Sequence, residues 1–128
     1  MAKLKKIKKP SKSALTRKLD KACSEIVRSK GFCEVDKTHD KETLQCCHIY
    51  SRTYRSVRWD VDYNLVCLCA SCHFYFHKNP VEFGKFVLNK LGAKNFDELV
   101  RRKNLIKRWT IKDMLEYLDI LNNYLLKI

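Results

Sequence analysis

Two cysteines and two histidines fall within the nine residues Cys69-Ala70-Ser71-Cys72-His73-Phe74-Tyr75-Phe76-His77, and no other stretch constrains the fold as strongly. Cys69 and Cys72 have the C-x2-C spacing of a knuckle, which turns two sulfurs onto one tetrahedral metal without strain. His73 and His77 lie four apart. If the knuckle leads into a helix, both rings leave the same face and can share a second metal. A zinc clamp is therefore expected to abut a histidine metal site.

A structural zinc takes four ligands, so further ligands are sought upstream, and Cys33 is the first. Three residues on, where a second cysteine would complete C-x2-C…C-x2-C, stands Asp36. A carboxylate can bind zinc, which gives the set Cys33, Asp36, Cys69 and Cys72. Cys3Asp is an uncommon combination, and His39 and Cys46 are the other candidates for the fourth ligand. Without a metal, Cys23, Cys46, Cys47 and Cys67 read as small buried hydrophobes, and that reading is preferred outright for Cys23 and Cys67.

Composition bounds the possibilities. The chain of 128 residues suits one domain with a modest core, small enough for a structural metal to matter. Its 27 Lys and Arg against 14 Asp and Glu leave a net charge of +13, which suggests a polyanionic partner, with nucleic acid first. Residues 1–21 hold nine basic residues and one acidic, so +8 lies there and the remainder carries +5. Seven cysteines and an N-terminus without an apolar secretory segment point to a reducing, cytoplasmic setting. No run of roughly 18 apolar residues is present, so no membrane partner is expected.

Residues 1–13 form a Lys-rich arm including Lys5, Lys6, Lys8 and Lys9, predicted to be flexible off its partner. Residues 14–128 are expected to form one domain, with a core at about 31–78 and a helical part at 79–128. Leu15, Leu19, Ala22, Cys23, Ile26 and Val27 recur at helical spacing before Gly31. Leu44 to Ile49 and Leu65 to Leu68 read as strands that can pair as a ribbon. Pro80 opens a helix predicted to stop at Gly92, Asn95 or Asp97 can start another through Lys103, and Thr110 can cap a last Leu-rich helix. The class is α+β.

Cys47-His48-Ile49, then Asn64, then Leu68-Cys69-Ala70-Ser71-Cys72-His73 and His77 form an ordered set that resembles the HNH endonuclease family over about residues 31–78. Leu44-Gln45-Cys46-Cys47-His48 through Arg58-Trp59-Asp60 is similar in particular to zinc-containing HNH proteins of phages and prophages. The resemblance implies a small ββα-metal core, stabilised by the zinc knuckle and flanked by N- and C-terminal helices. It implies His48 as general base, Asn64 as the residue fixing the ribbon and the imidazole, and His73 with His77 as holders of a catalytic divalent ion. Many family members place Asp or His where Cys47 stands. A thiolate suits zinc or another soft ion better than Mg²⁺, so Mg²⁺, Mn²⁺, Ni²⁺ and Zn²⁺ all stay open. The implied reaction is hydrolysis of DNA to 5′-phosphate and 3′-hydroxyl ends, in a setting such as a phage-infected host.

Between His48 and Asn64, cations and aromatics interleave, and Arg52, Arg55 and Arg58 are the expected phosphate contacts, with Trp59 in the core. The partner that the resemblance implies is DNA, duplex or branched. Apolar residues of the last helix, including Leu118, Leu121, Tyr124 and Leu125, are mostly core, with a homodimer as the alternative to a monomer. The rival class is a zinc-stabilised DNA-binding or assembly protein without turnover. A thiol redox protein using Cys46-Cys47 or Cys69-Cys72 is disfavoured, because adjacent cysteines seldom form an unstrained disulfide.

Overall fold

In the computed structural model, residues 9–128 are described, so Lys5, Lys6 and Lys8 of the basic arm lie outside the described residues. Helix α1 spans Lys12–Arg28, opened by Ser11, whose Oγ accepts the Ala14 N–H at 3.1 Å. Its apolar stripe, Leu15, Leu19, Ala22, Cys23, Ile26 and Val27, is buried. Each large aliphatic side chain buried in this way contributes about 1.5–3 kcal/mol. Gly31, at φ 77°, then turns the chain where an L side chain would be strained.

Strands β1 (Gln45–His48) and β2 (Leu65–Leu68) pair antiparallel, with Cys46 opposite Cys67 and His48 opposite Leu65. All four residues of β2 are buried. Successive side chains point to opposite faces, so this one strand serves two cores. Leu65 and Cys67 pack with α1, Trp59 and the last helix; Val66 and Leu68 pack with Cys33, Cys47, Cys69 and Phe76.

Helix α2 (Ala70–Lys78) begins inside the knuckle, with Cys69 at its cap and Cys72 in its first turn, and α3 (Pro80–Lys103) begins on the next residue but one. Phe83 and Phe86 of α3 each lie 5.1 Å from the Phe76 ring, closing the second core. Gly92 breaks α3 with φ 76° and ψ 161°, at the expected stop, yet the helix resumes at once and needs no cap at Asn95 or Asp97. The single glycine absorbs the whole reorientation. Helix α4 (Ile111–Leu126) opens with a reciprocal capping box between Thr110 and Asp113 and packs along α1, burying Met114 and Leu121.

The layers therefore run α1 with α4, then the ribbon, then α2 with α3, in an α+β arrangement. Residues 50–63 bridge the strands and are held from outside: Arg102 pairs with Asp60 at 2.9 Å, and the Trp109 Nε1–H donates to the Arg55 carbonyl at 3.0 Å. No helix among the described residues is long and apolar enough to cross a membrane.

Candidate functional site

Cys33, His39, Cys69 and Cys72 converge, with one ligand atom from each lying within 4.8 Å of all the others. Each is positioned by backbone. The Glu34 N–H donates to the Cys67 carbonyl at 2.8 Å while the Cys67 N–H donates to the Glu34 carboxylate at 2.6 Å, which straps Cys33 beside the end of β2. Cys69 is the N-cap of α2, its Sγ accepting the Cys72 N–H at 3.5 Å, so the helix start sets the spacing of the two sulfurs. His39 presents Nδ1 to Cys72 Sγ at 3.3 Å and to Cys69 Sγ at 3.8 Å.

A tetrahedral zinc with bonds of about 2.3 Å to sulfur has edges of about 3.8 Å between ligand atoms, so this Cys3His set fits zinc in both chemistry and spacing. The thiols themselves reflect the crowding. Burial resists ionisation of Cys33, but N–H groups of Cys69, Val35 and Asp36 together with His39 outweigh it and lower its pKa to about 7. Cys72 is pushed up to about 12, first by burial and then by Cys69 and Cys33. A dication relieves that repulsion.

Of the candidates for the fourth ligand, His39 lies in the group and Asp36 does not, which corrects the expected set. One Asp36 carboxylate oxygen accepts the N–H and the hydroxyl of Thr38 at 2.8 and 2.7 Å, closing a turn. The other lies 3.8 Å from His39 Nε2, on the ring edge away from the sulfurs. At that distance it makes no hydrogen bond to the ring and acts on the imidazole only through its charge.

His48 ends β1, half-buried, with Nε2 3.0 Å from the Arg58 carbonyl. A carbonyl only accepts, so Nε2 carries the proton and Nδ1 keeps its lone pair. Burial, opposed by that carbonyl and reinforced by Arg52, holds the ring's pKa below its usual value. Asn64 is wholly buried and fully bonded: its Oδ1 accepts the Tyr50 N–H at 2.8 Å, and its Nδ2 donates to the Tyr50 and Val57 carbonyls at 3.1 and 3.0 Å. It thereby straps the loop after His48 onto the ribbon.

His73 and His77 lie on α2, where His73 Nδ1 meets Gln45 Oε1 at 2.6 Å and His77 is exposed. Cys47 does not join them. It is buried with Val66, Leu68 and Phe76, and burial pushes its thiol up to about 11. Among the described residues, the cluster at Cys33 is the one group of three or more His, Cys, Asp or Glu side chains gathered tightly enough for a metal. The strand alternation also separates the histidines: His48 shares the α1 side of β1 with Cys46, whereas Gln45 faces His73.

The expected phosphate contacts divide. Arg58 is spent on Asp20, with Nε–Oδ1 3.0 Å and Nη2–Oδ2 2.7 Å, and Trp59 Nε1 donates to the same carboxylate at 2.7 Å. Arg52, Arg55 and Lys9 are exposed, and Trp59 is buried. Sequence reasoning missed Asp20 and Gln45, whose partners lie 38 and 28 residues away and leave no local signal. Comparison with models of known protein families, with curated proteins and with solved structures finds no match.

Proposed function

We propose that this chain is an HNH-type endonuclease with a ββα-metal core that hydrolyses DNA phosphodiesters, with His48 as general base. The observation that supports the reading is the order of parts: a ribbon ending at His48, a buried Asn64 strapped to it, and a helix carrying His73 and His77 behind a zinc-binding knuckle. A neutral imidazole whose Nε2–H is tied to the Arg58 carbonyl has Nδ1 ready to take a proton from water. Asn64 fixes that geometry by holding the following loop, and Arg52 beside His48 disfavours the imidazolium. The knuckle zinc holds the fold and stays out of the chemistry.

For a catalytic ion, His73 and His77 would offer two imidazoles four residues apart, a donor set better matched to Ni²⁺ or Zn²⁺ than to Mg²⁺. Cys47 does not fit that ion, because its sulfur lies in the core. A divalent ion there would neutralise charge on the phosphate and the departing oxygen. The missing third ligand, and the placing of His73 across the ribbon from His48, favour a second reading, a zinc-stabilised DNA-binding protein without turnover.

Supercoiled plasmid separates the two. Zinc-loaded wild type and His48→Ala are assayed with Mg²⁺, Mn²⁺, Ni²⁺ or Zn²⁺ added singly. Nicking that requires a metal and falls at least about a hundredfold in the variant is the expected outcome. Equal inertness of both proteins, with DNA binding retained, selects the second reading.

A further inference from the structure

Beside His48 lies a shallow depression to which α1 contributes Asp20, Ser24 and Arg28, β1 contributes Gln45 and His48, and the following loop contributes Arg52. Its charges do not cancel. Asp20, its one carboxylate, is held bidentately by Arg58. Arg28 and Arg52 form no ion pair among the described residues. Arg28 is anchored through Nε alone, to Ser24 Oγ at 3.0 Å and the Ser24 carbonyl at 3.3 Å, so both terminal nitrogens of its fork remain open. Arg52 lies close enough to lower the pKa of both His48 and Asp20.

We infer that Arg28 and Arg52 form a seat for a phosphodiester beside His48, so that α1 takes part in binding the nucleic acid. A guanidinium fork matches two phosphate oxygens, and a pre-positioned one loses little freedom on binding. Arg28 also ends α1, where any cation complements the helix dipole. That benefit would be equal for lysine and does not require the fork to be anchored by Ser24. The seat rests on the proposed function for the identity of its ligand as DNA, but its anion preference follows from the charges alone.

The test uses the zinc-loaded full chain, inorganic phosphate and a short labelled DNA duplex. Arg28→Ala and Arg52→Ala are each expected to weaken duplex binding roughly tenfold and to flatten the log–log salt dependence by about one unit. Arg28→Lys should recover only part of the loss, and Lys112→Ala on exposed α4 surface serves as a charge control. Phosphate should shift the His48 ring resonances in wild type but not in the double arginine variant. Binding by Arg28→Ala and Arg52→Ala equal to that of Lys112→Ala overturns the seat, as does a phosphate shift that survives in the double variant. Arg52→Ala, on an exposed loop, keeps the test valid should Arg28→Ala fail to fold. If wild type never cleaves yet binding depends on both arginines, the nuclease reading falls and the seat stands. Cleavage that needs His48 and neither arginine gives the reverse.

Discussion

Asn64 is the side chain on which most of the loop after His48 depends, since it satisfies three backbone groups at once. Asn64→Ala leaves the Tyr50 N–H and the Tyr50 and Val57 carbonyls without that partner, and should cost about 2–4 kcal/mol in urea denaturation of the zinc-loaded protein. His39→Ala should lower zinc affinity at least about tenfold in competition with a chromogenic chelator, whereas His39→Cys restores four ligands and most of the affinity. His48 carries a pH signature. Its folded pKa lies below the ordinary 6.5, so between those two values the unfolded chain holds the extra proton. Stability therefore rises with pH through that window, and His48→Gln should flatten that part of a stability profile taken below pH 6.5. The choice of His39 over Asp36 shows where spacing stops informing. The C-x2-C rule marks position 36, but the chain turns there, and the turn consumes the carboxylate that spacing would have given to the metal.

Elements with a long apolar period were legible, because α1 and α4 must bury a stripe to exist and their stripes are written in Leu, Ile and Val. The ribbon was legible to within a residue or two for the same reason. Harder to see was the extent of α3, since a glycine ordinarily signals a stop and here marks a break within one run of helix. Gly92→Ala meets no atom within 4 Å, so any loss comes from the backbone alone. At its positive φ that loss should be about 1–3 kcal/mol, read as a lowered denaturation midpoint. Parity along β1 also escaped sequence reading: adjacent Cys46 and Cys47 face different cores, and His48 and His73 reach different sides of the ribbon. Local pattern says that side chains alternate, but not which partner each face receives.

Among the described residues two cores meet along β2, one built on α1 and α4 and the other on the cysteine cluster, Phe76, Phe83 and Phe86. Stripping the metal should therefore act unevenly. Amides of residues 33–39 and α2 are expected to lose hydrogen-exchange protection first, while buried positions of α1 and α4 keep theirs; uniform loss would mean that the cores are not separable. The pairing of α1 with α4 has a temporal consequence as well. Leu15 and Leu19 find Met114 and Leu121 only after nearly a hundred intervening residues have been made, whereas Cys33 to Phe86 can close on a metal much sooner. As the chain leaves the ribosome, the half built on the cysteine cluster can set first, and α1, met by the ribbon and Trp59 alone, keeps the rest of its apolar stripe uncovered until the last helix arrives.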